Sequence, residues 1–75
     1  MIIKFSRHAR RRAKLYRIPQ STVERVLATM ELADGEHELV RDISGFKYPL
    51  KIVVAVENDI ITVITNYPLK KGRTK

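Results

Sequence analysis

The sequence contains no cysteine and only three glycines among its 75 residues. Without cysteine there is no disulfide framework, no thiolate ligand for zinc and no thiol nucleophile. With so few glycines there is no glycine-rich loop to hold phosphates. No apolar run approaches the roughly 20 residues of a membrane-spanning helix, and the first apolar residues precede the charges, the reverse of a secretory signal. We therefore expect a cytoplasmic protein.

Acidic residues are nearly absent from the first part of the chain. Residues 1–30 contain eight lysines and arginines and one acid, whereas residues 31–75 contain seven of each sign, so the net charge is +7. A basic field concentrated in one segment favours a polyanionic partner, with nucleic acid first and an anionic membrane or acidic protein second. The alternative is a solvated basic helix with no partner.

The longest run of β-branched residues extends from Leu50 to Tyr67 and is interrupted at Asn58-Asp59. Val, Ile and Thr favour strands, and Asn and Asp tolerate the positive φ of a two-residue hairpin loop. We predict two antiparallel strands in which Glu57 pairs with Ile60. On one nearly apolar face this register pairs Val54 with Val63, Ile52 with Thr65 and Leu50 with Tyr67; on the other it pairs Lys51 with Asn66.

The first predicted helix spans Ser6 to Arg17. Ser6 is a suitable N-cap because its hydroxyl can accept a hydrogen bond from a free backbone amide. Ala9 and Ala13 recur at helical spacing and form an apolar stripe. Pro19 disfavours helix in the residue before it, so the helix ends there.

The second predicted helix begins at Ser21. Ser21 and Glu24 match the capping box, in which each side chain binds the backbone amide of the other. We expect this helix to end between Glu31 and Ala33 and to form an αα-hairpin with the first on one side of the sheet. Its apolar stripe comprises Val23, Val26, Leu27 and Met30.

The remaining segments complete an α+β architecture. Residues 36–43 alternate weakly and carry charges, as an edge strand does. Residues 1–5 are either a short strand or a lead into the first helix. The order is (β)ααβββ, with two N-terminal helices packed on a three- to four-stranded antiparallel sheet. Residues 1–69 form a single domain, and residues 70–75 form a basic C-terminal tail.

His8 is the first candidate for chemistry because arginines surround it in the first helix. Nearby cations favour neutral imidazole, the form that a general base needs. The alternative is a half-buried histidine at the rim of the helix. His37 is interpreted as structural or as a surface residue. Two distant histidines without cysteine or H-E-x-x-H spacing do not make a metal site, and we expect no cofactor.

A hydroxyl, a phenol and several lysines converge at one end of the predicted hairpin. Thr65 and Tyr67 lie there, and Lys47 and Lys51 flank them. Lysine can bind phosphate as a point charge. The alternative is an ordinary strand end with a solvated rim.

The pattern of His8 with its arginines, Arg17-Ile18-Pro19 and Ile64 to Tyr67 (ITNY) resembles small bacterial domains related to the RelE/ParE toxin superfamily. It is also similar in outline to the ribonuclease fold group of barnase, EndoU and the colicin tRNases. The resemblance covers residues 5–68. It implies a RelE-like fold and either a metal-independent endoribonuclease or, as in the ParE branch, a gyrase inhibitor.

Carried over by residue, the resemblance makes His8 a general acid or base. It places Lys51 or Lys47 on the scissile phosphate, with Thr65 and Tyr67 orienting phosphate or base. In the predicted register Lys51 and Tyr67 point to opposite faces, so a shared site requires a twist or bulge. The nucleic-acid-binding residues would be Arg7, Arg10, Arg11, Arg12, Lys14 and Lys47.

Three functions follow as hypotheses. The first is a RelE-like toxin domain that cleaves RNA without a metal. The second is a non-catalytic module that binds RNA or another nucleic acid through the first helix. The third is a module that binds a protein partner, such as an acidic antitoxin, along the basic helix and the sheet edge.

Overall fold

The computed structural model describes residues 2–69, so the predicted tail, with Lys70 and Lys71, lies outside the described residues. The order of elements is βααβββ: a strand lies where the sequence left the choice between a strand and a lead into the first helix, and the other five elements follow in the predicted order. The bounds are Ile2–Phe5 for β1, Arg7–Leu15 for α1, Gln20–Ala28 for α2, Gly35–Arg41 for β2, Leu50–Glu57 for β3 and Ile60–Pro68 for β4.

The four strands form one sheet in the order β1-β4-β3-β2. The prediction of an α+β fold is confirmed, and β2 lies at an edge. The prediction of an antiparallel sheet is wrong, because β1 pairs with β4 in parallel, with Ile3 beside Ile61 and Phe5 beside Val63. The apolar, β-branched composition of residues 1–5 is compatible with a strand but carries no information about its direction. The sheet is therefore mixed, and a RelE-like topology remains a prediction.

The hairpin turns where the sequence predicts. Asn58 and Asp59 have φ values of 50° and 67°, which is the two-residue turn with positive φ at both positions. The predicted pairing holds from Glu57–Ile60 to Val54–Val63. This part of the hairpin is confirmed.

Beyond Val63 the register shifts by one residue through a β-bulge at Ile64. A bulge adds one residue to one strand, and alternation of residue types does not reveal it. The predicted pairs below the bulge are therefore wrong. The observed pairs are Val53 with Thr65, Ile52 with Asn66, Lys51 with Tyr67 and Leu50 with Pro68.

The bulge decides which side chains face the helices. On β3, alternate residues from Leu50 to Val56 are buried. On β4, Asn66 is buried, while Thr65 and Tyr67 are half-buried. We call the sheet surface away from the helices the open face; it comprises Glu36, Glu38 and Val40 of β2, Lys51, Val53, Ala55 and Glu57 of β3, Ile60, Thr62, Thr65 and Tyr67 of β4, and Ile2 and Lys4 of β1.

The first helix starts as predicted and ends earlier. Ser6 is its N-cap, and the Ser6 Oγ accepts a hydrogen bond from the Ala9 amide at 3.0 Å. Ala9 and Ala13 are buried against the sheet. Helix α1 ends at Leu15 rather than Arg17 because Arg17 adopts a left-handed conformation.

A Schellman motif closes α1. The Ile18 amide donates to the Ala13 carbonyl at 2.8 Å, and the Arg17 amide donates to the Lys14 carbonyl at 3.3 Å. In this motif the residue after the C-cap adopts positive φ, usually as glycine. Here that residue is Arg17, with φ of 57°. The motif turns Ile18 into the core.

The second helix differs from the prediction at both ends. Its N-cap is Pro19, which makes no side-chain cap hydrogen bond. The prediction of a capping box is therefore wrong. The extended Pro19 starts the helix one residue before Ser21, which then lies inside the helix. The helix ends at Ala28 instead of residues 31–33, and the Thr29 Oγ1 donates to the Val26 carbonyl at 2.8 Å.

A single core lies between the helices and one face of the sheet. Its buried members come from both helices, from Ile18 between them and from three strands. Both helices therefore cover the same face, as predicted for the αα-hairpin. The buried residues are Ala9, Ala13, Ile18, Val23, Leu27, Leu39, Leu50, Ile52, Val54, Val56, Ile61 and Val63.

Replacing Arg17 by glycine should stabilise the protein. A left-handed conformation costs an L-residue roughly 1–2 kcal/mol, and the larger entropy of unfolded glycine offsets part of this gain. We expect Arg17→Gly to raise the free energy of unfolding by about 0.5–1 kcal/mol in urea titrations. In the interior of α1, Lys14→Gly should lower it by about 1 kcal/mol. A decrease for Arg17→Gly would contradict this account of the cap.

Candidate nucleic-acid interface

The outer surface of α1 is strongly basic. The helix has nine residues, most of which are charged or polar, and none of them is acidic. Ala9 and Ala13 take the inner face because small side chains allow close approach to β4, which leaves the long cations outside. The cations of α1 are Arg7, Arg10, Arg11, Arg12 and Lys14.

These cations have no carboxylate partner within the part of the chain that the structure describes. The one ion pair among residues 2–69 joins Lys51 to Glu38. Arg10 instead donates through Nη1 to the Phe5 carbonyl at 2.9 Å. Basic side chains on one helix that lack internal partners repel one another, so an external anion would relieve this repulsion.

Arg12 connects the helix to the sheet. Its guanidinium carbon lies 6.0 Å from the centre of the Tyr67 ring, at the limit of a cation–π contact. Strand β1 pairs with β4 only as far as Val63, so on the side away from β3 no described strand adjoins the C-terminal half of β4, and α1 packs against β4. Arg12 reaches the Tyr67 ring across this edge.

Lys51 and Tyr67 lie side by side on the open face. The bulge makes them direct partners, and residues opposite one another in an antiparallel pair share a face. In the register predicted from the sequence the two residues point to opposite faces and only a twist or bulge brings them together; the bulge at Ile64 does so. Thr65 lies on the same strand and face, half-buried, opposite Val53.

Lys51 is held as a cation. Its Nζ lies 2.9 Å from Glu38 Oε1. The hydrogen bond and charge of Glu38, and then Tyr67, raise the pKa of Lys51 above its ordinary value of 10.5. A lysine with a raised pKa is a poor general base, because it is protonated at neutral pH. Lys51 can therefore supply fixed positive charge.

The predicted base, His8, is exposed on α1. It lies one helical turn before Arg12, and residues four apart share a helix face. With Arg11, Arg12, Lys14 and Leu15 it lines an open depression of about 470 Å³. Among the described residues His8 makes no hydrogen bond, so none joins it to Lys51, Thr65 or Tyr67.

The predicted phosphate ligand Lys47 lies apart from this group. It is exposed in the loop before β3, and its Nζ lies 5.6 Å from the centre of the Tyr48 ring. His37 is half-buried, and its Nε2 lies 2.7 Å from the Ala33 carbonyl oxygen, to which it donates. This contact fits the structural interpretation of His37.

Asn66 is a site residue that the sequence interpretation missed. It is fully buried, and its Nδ2 donates to the Ala9 carbonyl at 3.2 Å. Its Oδ1 has no partner among the described residues. Asparagine is depleted in strands, so its presence in β4 is the one feature of the sequence that could have marked this position. Asn66 fixes the distance between α1 and β4, and with it the position of the basic surface beside Tyr67.

Apart from Glu38, which pairs with Lys51, the acids of the sheet lie away from this surface. Glu36 and Glu38 belong to β2, at the opposite edge of the sheet from β1, and Glu57 and Asp59 lie at the hairpin turn. No three His, Asp or Glu side chains among residues 2–69 group as a metal site would require. Within the same range no helix is both long and apolar enough to span a membrane.

Comparisons with protein-family models, with curated proteins and with solved structures found no match for this chain. The resemblance to the RelE/ParE toxin superfamily therefore stays a prediction from the sequence.

Replacing Glu38 by glutamine should lower the pKa of Lys51 towards 10.5, because Glu38 is the main cause of its rise. NMR titration of the Lys51 side chain measures this value. Since the folded pKa is raised, the pair stabilises the fold below the ordinary lysine pKa and ceases to do so as pH rises through the raised pKa. Glu36→Gln, on the same strand and face, is the matched control. An equal shift in both variants would contradict the pairing.

Proposed function

We propose that the protein binds RNA through α1 and the adjoining end of β4. The observation that carries this proposal is a helix whose cations, from Arg7 to Lys14, have no acidic partner in the described chain. Such a surface neutralises successive phosphates and releases their counterions. A solvated helix without a partner would explain the charge of α1 but not the position of Arg12 beside the Tyr67 ring.

Tyr67 favours RNA with unpaired bases as the ligand. Proteins recognise single-stranded RNA by stacking bases on aromatic or guanidinium groups beside a basic track. Tyr67 is half-buried, with Arg12 on one side and Lys51 opposite it in the sheet. A base that stacks here would place its phosphates near the cations of α1.

Salt dependence tests this binding. We expect the affinity for a labelled single-stranded RNA to fall linearly with salt on logarithmic axes. Arg11→Gln with Lys14→Gln should reduce the slope by about 1.4, since each phosphate contact on a single strand contributes about 0.7. Fluorescence anisotropy at several salt concentrations measures both slope and affinity.

The matched control removes the same charge elsewhere. Arg25 and Arg41 are exposed and lie outside α1, so Arg25→Gln with Arg41→Gln lowers the net charge equally. Equal losses in the two double variants would show that only net charge matters, which contradicts a site on α1. A flat response to salt in the unaltered protein would contradict nucleic-acid binding itself.

Metal-independent RNA cleavage is the second candidate. The bulge favours it by placing Lys51, Thr65 and Tyr67 on one face. In this reaction His8 takes the proton of the ribose 2′-hydroxyl, whose oxygen attacks the adjacent phosphorus, and the bond to the 5′-oxygen breaks. The Tyr67 hydroxyl, on the same face as Lys51, gives a proton to the leaving oxygen, and Lys51 stabilises the extra charge on the phosphorane.

Cleavage in EDTA separates the two candidates. If the protein is a nuclease of this kind, it should cut total RNA in the chelator, and His8→Ala and Tyr67→Phe should each lower the rate by roughly 100-fold or more. His37→Gln and Tyr48→Phe are the matched controls and should keep full activity. Circular dichroism checks that each variant folds. Unchanged cleavage in both site variants would remove this mechanism, whereas RNA binding without cleavage would leave the first candidate.

A further inference from the structure

One row of side chains crosses the open face through all four strands. Glu36 pairs with Ala55, Ala55 with Thr62, and Thr62 lies beside Lys4. From one edge to the other, the row therefore consists of an acid, two small residues and a base. We call these four residues the charge row.

The two charges of the row cannot meet within one molecule. They lie on the two edge strands, three strand spacings or roughly 14 Å apart. Among residues 2–69 neither Glu36 nor Lys4 belongs to an ion pair, because the only pair is that of Lys51 and Glu38. Both ends of the row are therefore available to a partner.

Apolar residues lie on both sides of the charge row, beside the acids Glu38 and Glu57. Ile2 is 55% exposed at the β1 edge and Val40 is 45% exposed at the β2 edge. Ile60 and Val53 between them are half-buried. A shallow depression of about 340 Å³ at Ala55 and Ile60 adds to this surface. No helix among the described residues covers it, and burial of such a surface favours association.

We infer that the open face binds a second copy of this chain. In this dimer the two open faces meet, and a two-fold axis runs between the sheets, parallel to the strands and midway between β3 and β4. It lays β2 of one copy over β1 of the other, and β3 of one copy over β4 of the other. It places Glu36 of each copy over Lys4 of the other and Ala55 over Thr62. The row is thus complementary to itself, as a two-fold interface requires, and its small central residues allow two sheets to pack face to face.

The same axis also places Lys51 of each copy over Tyr67 of the other, because these two residues pair across β3 and β4. A base that stacks on Tyr67 therefore competes with the second copy for this part of the open face. Helix α1 covers the other face of the sheet and remains accessible in the dimer. A face of four short strands is at the small end of protein interfaces, so we expect a dissociation constant in the micromolar range.

Charge reversal provides the test. In sedimentation-velocity runs over a concentration series, the unaltered protein should shift from the mass of one 8.7 kDa chain towards that of two. Lys4→Glu alone and Glu36→Lys alone should each stay monomeric, because each puts like charges opposite one another. Mixed in equal amounts, the two variants should form a heterodimer, since the row of one then has an acid at both ends and faces a row with a lysine at both ends.

Two reversals on α2 form the control. Glu24→Lys and Arg25→Glu alter exposed charges on the other side of the molecule and should leave dimerisation unchanged. Circular dichroism establishes that each variant is folded, and Lys4→Gln and Glu36→Gln replace any that is not. An unaltered protein that stays monomeric throughout the series overturns the inference, as does a mixture that fails to associate. No RNA is present, so failure here does not bear on RNA binding.

Discussion

Ser6 joins the two parts of the fold that determine the candidate site. Its amide donates to the Val63 carbonyl at 3.0 Å and its Oγ donates to the Ile64 carbonyl at 2.9 Å. The same Oγ accepts the Ala9 amide that starts α1. One residue thus ends the β1 pairing, satisfies the backbone of the bulge and caps the helix. Because the hydroxyl has one proton and accepts as well as donates, serine can perform all of these functions together.

The arrangement of the functional side chains follows from this junction. Since Ile64 is the extra residue, Tyr67 moves to the open face beside Lys51, and Asn66 moves inward to the Ala9 carbonyl. Without the bulge, Thr65 would pair with Ile52 and its side chain would face the apolar core. Among the described residues the buried Asn66 Oδ1 has no hydrogen-bond partner, and a buried polar atom without a partner costs about 1–3 kcal/mol.

The sequence contains local signals for most elements but not for the features that assemble the site. The hairpin turn and the Ser6 cap depend on neighbouring residues, so Asn58-Asp59 and the helical spacing of Ala9 and Ala13 were sufficient to predict them. The direction of β1 depends on a partner far along the chain, as the Ile2–Ile60 pair shows. The bulge depends on contacts between Ser6 and Ile64, and the left-handed Arg17 has no glycine to signal it. The pattern of residue types therefore predicted the strands of the hairpin but not the shift of register beyond Val63.

Charge separation across the sheet underlies both of the associations inferred for this protein. The cations of α1 lie over β4, whereas Glu36 and Glu38 lie on β2, at the far edge. A polyanion is therefore attracted to one side and repelled from the other, so it approaches in a defined orientation. The two-fold contact brings the acidic edge of each copy over the basic β1 edge of the other and leaves α1 outside. The strand order that separates the charges thus also makes the open face complementary to itself.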